Sequence, residues 1–202
     1  MIIERKLAIN INKLDLGFDY DNVLFNSSEC FVDLFNEYTG CHYTMNDLTD
    51  WDMKKCFPTE YAKLVDDLWF SPRLWNRIEP ITDARLYLNI LCKEENVLLV
   101  TNTHWDILSP KVARLKKCYP FFNTDNIYTG KDKSKFSLDV LTDDATHNLI
   151  HGKYKKILMS YRWNQNFNCS QNGVRRADNF TDIYTEIQRI KESERQIFEM
   201  MN

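Results

Sequence analysis

The chain has 202 residues, 44% of them hydrophobic and 13% aromatic, with five glycines and five prolines, which suits one domain plus an insertion and excludes a disordered or fibrous protein. A chain this long can bury roughly 70% of its unfolded surface, so its core needs neither disulfides nor a structural metal. Its 26 basic and 29 acidic residues are interspersed for a net charge of −3, which sets up no global field for nucleic acid.

The longest aliphatic run, residues 97–100, is far short of the roughly 18 apolar residues of a membrane span. Glu4, Arg5 and Lys6 stand where a secretory signal would begin its apolar segment, so a cytoplasmic protein is expected. Cys30, Cys41, Cys56, Cys92, Cys118 and Cys169 form no C-x-x-C pair and read as reduced, half-buried fillers.

Residues 14–18 form a short apolar run that stops at acidic residues, as a buried parallel strand does before its helix. Asn26 with Glu29 three residues on resembles a capping box; Cys30, Phe31, Leu34, Phe35 and Tyr38 follow at helical spacing, and Gly40 ends the run. Thr59 is expected to cap a second amphipathic helix through Tyr61, Leu64, Val65, Leu68 and Trp69, and Thr82 a third through Leu88, Leu91 and Cys92. Residues 97–101 read as the second strand. Ser109 and Pro110 are expected to open the next helix, with Lys116 and Lys117 in its last turn as the macrodipole favours. Residues 126–129 and 138–142 read as strands, Asp144 as the start of a short helix, 157–160 as another strand and 180–200 as a terminal helix. Strand and helix alternate, which is an α/β order with a parallel sheet. Residues 25–81 are too long for a simple crossover and read as an inserted helical cap, leaving 1–24 and 82–202 as the core.

Two D-x-D pairs occur, Asp19 with Asp21 and Asp50 with Asp52, so the pattern alone says little. The first pair is singled out by its place at the carboxyl end of the first strand, the edge where open α/β sheets bind ligands. The same edge collects Thr101 from the second strand and Asp143 with Asp144 from the strand that begins near Leu138. Carboxylates sharing one crevice repel and raise each other's pKa, which a hard divalent cation resolves. Magnesium is the expected ion, and its habit of completing its shell with phosphate oxygens points to phosphate chemistry.

Phe18-Asp19-Tyr20-Asp21-Asn22-Val23-Leu24, Leu99-Val100-Thr101-Asn102, and Gly130-Lys131-Asp132-Lys133 with Leu138-Asp139-Val140-Leu141-Thr142-Asp143-Asp144 resemble, in order and spacing, the four motifs of haloacid-dehalogenase-like phosphatases. More narrowly they resemble the 5'(3')-deoxyribonucleotidases. The 68–80 block around Trp69, Pro72 and Trp75 and the segment Trp163-Asn164-Gln165 with Arg175-Arg176 extend the likeness over residues 14–187. The resemblance implies a Rossmann-like core of haloacid-dehalogenase type with a small helical cap, and a magnesium-dependent phosphatase of nucleoside monophosphates that works through an aspartyl-phosphate. Asp19 would be the nucleophile and Asp21 the acid and base. Thr101 and Lys133 would hold the phosphoryl oxygens. Asp19, Asp21 through its carbonyl, and Asp144 with Asp143 beside it would hold Mg2+; which of the last two touches the ion is left open. Asn22 stands where the family usually has glycine, Ser27 where relatives carry an aromatic, Asn102 in place of a small hydroxyl and Thr142 in place of an aliphatic residue. Base preference is therefore not carried over.

Trp51, Trp69 and Trp75 are candidates for stacking on a nucleobase, with Trp51, Trp69 and Asn102 assigned to substrate binding. His147 and His151 have metal-ligand spacing without a third ligand and read as surface or packing residues, and the basic run 111–117 reads as a solvated helix face. The expected partner is a small-molecule nucleotide, with no membrane or nucleic acid; a homodimer is compatible with these features. Two rival readings are a phosphatase of nucleic-acid ends, which would need an extended basic groove, and a non-catalytic nucleotide-binding regulator, which would not need both Asp19 and Asp21.

Overall fold

A computed structural model describes residues 13–201, so Glu4, Arg5, Lys6 and the rest of the expected core segment before residue 13 lie outside the described residues. Six strands form one sheet: β1 (Asp15–Phe18), β2 (Asn96–Thr101), β3 (Ile127–Thr129), β4 (Val140–Asp143), β5 (Lys155–Met159) and β6 (Val174–Ala177). Their order is β3-β2-β1-β4-β5-β6, and every neighbouring pair is parallel. The chain winds outward from β1 through β2 to β3, then returns to the other side of β1 for β4, β5 and β6. The order thus reverses beside β1, and the crevice beyond the carboxyl ends of β1 and β4 is the switch point where such sheets place ligands.

The central strands carry apolar residues on both faces, as strands covered on both sides must. Leu16, Phe18, Val140, Ile157 and Met159 join the main core, while Leu141, Leu158 and Val174 pack with Leu149 and Tyr154 in a smaller cluster. Gly17 lets the sheet meet that second layer closely, because a Cβ there would lie 2.6 Å from a methyl of Leu138.

The helices are α1 (Ser27–Thr39), α2 (Ala62–Trp69), α3 (Pro72–Arg77), α4 (Ala84–Glu94), α5 (Trp105–Cys118), α6 (Thr146–Ile150) and α7 (Phe180–Met201). Among the described residues no helix is long and apolar enough to cross a membrane. Between β1 and α4 the chain is helical and aromatic-rich: the Phe35 ring centre lies 4.2 Å from that of Phe57 with the rings tilted by 30°, and Phe35 meets Tyr43 and Tyr61 edge-on. The path out of the sheet and the path back lie side by side, with Asn26 donating its backbone N–H to Glu79 O (3.0 Å) and Ile81 to Leu24 O (3.0 Å).

Gly40 closes α1 as expected, in a left-handed conformation with its N–H on Asn36 O. The expected side-chain cap bonds do not form. Asn26 stands at the cap position of α1 as expected, but its carboxamide accepts from Glu79 N, donates to the Glu29 side chain and accepts from no N–H of α1. Thr59 lies inside a 3-10 turn (Thr59–Tyr61) that leads into α2, and Thr82 precedes Asp83, whose left-handed φ of 63° starts α4 without a side-chain cap. Pro110 does not open α5 but sits inside it. The helix begins at Trp105, where His104 Nδ1 accepts from Asp106 N, because Ile107 belongs to the core and must lie on the helix. Asp144 precedes α6 rather than starting it. The edge strand β6 carries no strand signal in the sequence, because exposed Arg175 and Arg176 interrupt apolar alternation between buried Val174 and Ala177.

Candidate active site

Three parallel strands deliver Asp19, Thr101 with Asn102, and Asp143 with Asp144 to one rim, since each residue sits at or just past the carboxyl end of β1, β2 or β4. Asp19 N donates to Thr142 O (3.0 Å), fixing β1 against β4 where the acids meet. Oxygens of Asp19, Asp143 and Asp144 lie within 4.8 Å of one another, and all three residues are buried. Lys133, from the 3-10 turn after β3, places Nζ 2.6 Å from Asp19 Oδ1 and 2.6 Å from Asp143 Oδ2. Of the three neighbouring lysines only Lys133 is buried; Lys131 and Lys135 are exposed.

Asp143 and Asp144 are not equivalent. Asp143 is saturated: besides Lys133 it accepts from Ala145 N (2.9 Å) and from Asn148 Nδ2 at both oxygens, and it is fully buried. Asp144 faces the cavity and receives one side-chain donor, Asn22 Nδ2 at 3.1 Å. Burial pushes both carboxyls up, with Lys133 pulling Asp143 back and the negative charges of Asp143 and Asp19 driving Asp144 well above the usual range. Burial pulls the Lys133 ammonium down, but attraction to Asp143 and Asp19 outweighs it. Three buried carboxylates against one lysine leave two uncompensated negative charges, which fits a divalent cation held by oxygen ligands.

Asp21 stands apart from that cluster. Its Oδ2 accepts from Lys111 Nζ at 2.5 Å, while its Oδ1 is buried with no partner. Lys111 is 2% exposed, lies 4.8 Å from the ring centre of Tyr20 and 4.4 Å from that of Trp75, and also donates to Thr103 Oγ1 (3.2 Å), whose hydroxyl is 3.0 Å from that of Thr101. The expectation of a solvated face over 111–117 is thus corrected at two positions. Lys111 and Arg114 are buried with Ile107 and Leu115 on the inner stripe of α5, and Arg114 clamps Ile78 O (2.6 Å) and Glu79 (2.5 Å). Helical spacing carried the signal: Lys111 is four residues from both Ile107 and Leu115.

The rim opens into a cavity of about 300 Å³. Asp19, Asp21, Lys133 and Asp144 lie at its floor with Asn102, while Trp51, Met53, Val65 and Trp69 line it from the helical segment. Thr101 is buried one residue below Asn102 and does not itself line it. Trp75 is corrected to a core residue: it has no exposed surface and donates Nε1 to Trp69 O. Trp51, half exposed, meets the His147 ring edge-on at 4.6 Å. His147 and His151 are exposed and join no metal-holding cluster among the described residues. Ser27 is buried and off the cavity wall.

A six-stranded parallel sheet in this order, with acids at the switch point, is the haloacid-dehalogenase-like hydrolase fold. Solved structures agree: a family hydrolase from Deinococcus radiodurans, described with bound phosphate and sodium, aligns with TM-score 0.60 over 87% of this chain and 95% of its own at 10% identity. A magnesium-bound hydrolase from Bacillus subtilis aligns with TM-score 0.57 over 88% and 99% at 14% identity. Residues 12–193 match the model of the family described as 5' nucleotidase, deoxy (pyrimidine), cytosolic type C protein. A 5'(3')-deoxyribonucleotidase from Clostridium acetobutylicum is 28% identical over 78% of this chain and 88% of the relative, and one from Bacillus subtilis 30% over 76% and 88%. The chain belongs to this nucleotidase family, and with it to the phosphomonoester hydrolases.

Proposed function

We propose that the protein hydrolyses deoxyribonucleoside 5'- or 3'-monophosphates with Mg2+ through an aspartyl-phosphate on Asp19. The observation that carries this reading is the placement of Asp19 at the floor of a tryptophan-walled cavity, with one oxygen held by Lys133 and Asp21 and Asp144 beside it. Asp19 and Asp144, with the main-chain carbonyl of Asp21, would hold the ion, and saturated Asp143 would brace Lys133 and the loop behind them. Bound there, the ion supplies positive charge and orientation to the phosphoryl oxygens.

The chain's own residues then divide the work. An Asp19 carboxylate oxygen attacks phosphorus, the bond from phosphorus to the sugar oxygen breaks, and protonated Asp21 gives its proton to that leaving oxygen. Asp21, now a carboxylate, takes a proton from the water that attacks the phosphoryl group, the Asp19–phosphate bond breaks, and inorganic phosphate leaves. Lys133 and the Thr101 hydroxyl stabilise the equatorial oxygens, where charge is greatest. Lys111 positions Asp21 by holding its Oδ2. Residues 25–81 act as a cap over this core, and Trp51 and Trp69 offer faces to the base. The six cysteines are free thiols, which suits action in a reducing cytoplasm. Rapid acid quench during turnover followed by peptide mass analysis tests the intermediate. One phosphoryl group on the Asp19 peptide supports the reading, and its absence under turnover refutes it.

A further inference from the structure

The position after the second aspartate holds the described chain's left-handed asparagine. Asn22 has φ 57° and is 6% exposed, and each of its polar groups is committed. Its N–H donates to Phe25 O (2.7 Å) and its carbonyl accepts from the Tyr161 hydroxyl (2.9 Å). Its side-chain Oδ1 accepts from Ser28 N (3.0 Å), and since a main-chain N–H can only donate, Nδ2 must face Asp144 Oδ2, 3.1 Å away. Ser28 lies in the first turn of α1, where helix N–H groups need outside acceptors, and Asn26 at the cap position supplies none. Asn22 therefore replaces the missing cap with one end of its carboxamide and grips the cavity-facing carboxylate with the other.

Few residue types meet these demands together. Glycine adopts the backbone but offers neither bond. Aspartate tolerates the conformation and can accept from Ser28, but sets another carboxylate beside Asp144. Asparagine alone combines the left-handed turn, an acceptor for the helix and a donor for the acid.

We propose that Asn22 is a positioning residue that ties Asp144 to the first turn of α1, so that cation affinity at the Asp19–Asp143–Asp144 cluster depends on how α1 is seated. The inference rests on the cation reading of the proposed function. Such a link is reciprocal: whatever seats α1 raises cation affinity, and the cation steadies α1 by the same factor.

The test measures Mg2+ binding to the full chain by calorimetry, and the Mg2+-induced rise in melting temperature, without nucleotide. Asn22→Gly is expected to weaken Mg2+ binding about 10-fold or more, as loss of a bond that orients a ligand does, and to shrink the melting rise. Asn22→Asp keeps the acceptor for Ser28 and is expected to act in the opposite sense, with a lower melting temperature in chelator and a larger rise with Mg2+. A purely structural capping role would lower the Asn22→Gly melting temperature equally with and without Mg2+ and leave Asn22→Asp like the wild type in both. Mg2+ affinity of Asn22→Gly within about twofold of wild type overturns the proposal. Should that variant fail to fold, an unchanged melting rise in Asn22→Asp overturns it instead. Absence of Mg2+ binding to the wild type would overturn the cation reading as well, whereas wild-type binding with insensitive variants overturns this inference alone.

Discussion

Lys111→Met removes the ammonium that holds Asp21 while keeping an unbranched stem beneath Tyr20 and Trp75. Breaking a buried ion pair from one side costs about 3–5 kcal/mol, but the Asp21 side chain is 17% exposed toward the cavity and can regain water, so about 2 kcal/mol is expected. For a chain of this size that lowers the melting temperature by about 4–8 °C. The larger effect falls on the chemistry. Asp21 Oδ1 has no protein partner, so without Lys111 nothing in the protein fixes the carboxyl, and a displacement near 1 Å costs about 100-fold in rate. Pre-steady-state bursts separate positioning from general damage. With a deoxynucleotide the leaving sugar oxygen needs the Asp21 proton, whereas nitrophenolate leaves p-nitrophenyl phosphate without one. The nucleotide burst is expected to slow about 100-fold and the nitrophenolate burst less than about 10-fold. Equal slowing of both, or an unaltered nucleotide burst, would refute the assignment of Lys111 to Asp21.

Other perturbations address the remaining parts of the site. Asp19→Asn is expected to reduce turnover by about 10⁴-fold or more with a melting shift of only a few degrees, because Lys133 retains Asp143; turnover of a purified variant near the wild-type rate would contradict this. Trp51→Ala is the clean test of the cavity wall, since Trp51 is half exposed whereas Trp69 packs on Trp75 and Phe31. KM for nucleotide should rise about 5- to 100-fold with kcat nearly unchanged, and an unaltered KM would remove Trp51 from the binding wall. In chelator, stability measured by denaturant titration should fall as pH rises from about 4. Burial and the negative charges of Asp143 and Asp19 keep Asp144 protonated in the folded chain at pH values where the unfolded chain has released that proton, so folding takes up a proton and is favoured at the acid end. Saturating Mg2+ should flatten the slope, and a slope unaffected by Mg2+ would argue against a cation at this cluster.

The parts of the site that could be read from sequence are those fixed by topology. A short apolar strand that ends in a polar residue, repeated along an alternating α/β chain, places those residues at one edge whatever the loops do, and so Asp19, Asp143 and Asp144 are found together with Thr101 at the end of β2, whereas Lys133 comes from a turn and is legible only by the family resemblance. Lys111 escaped because its neighbours Lys116 and Lys117 belong to the last turn of α5, and a run of basic residues hides the one whose spacing from Ile107 and Leu115 turns it inward. Trp75 could not be told from Trp51 or Trp69 because composition does not say which face of the helical segment meets the cavity; it is buried against the Lys111 ammonium with Tyr20 instead. Helix starts are legible to different degrees: Asn26 occupies the cap position of α1 and Thr82 lies one residue before that of α4, whereas α5 begins well before Ser109. Tertiary partners account for two of the differences: Glu79 claims the Asn26 carboxamide without moving the start of α1, and core residue Ile107 draws the start of α5 to Trp105, four residues before Ser109.

The central claim is that this cavity releases phosphate from deoxyribonucleoside monophosphates in a cation-dependent reaction. The most direct measurement is phosphate release from a panel of 5'- and 3'-deoxyribo- and ribonucleotides, sugar phosphates and phosphorylated oligonucleotide ends, each with Mg2+ and with chelator. The expected result is Mg2+-dependent release concentrated on the deoxyribonucleoside monophosphates and lost in Asp19→Asn. Release from none of them while nucleotide still binds, or release undiminished by chelator, would contradict it.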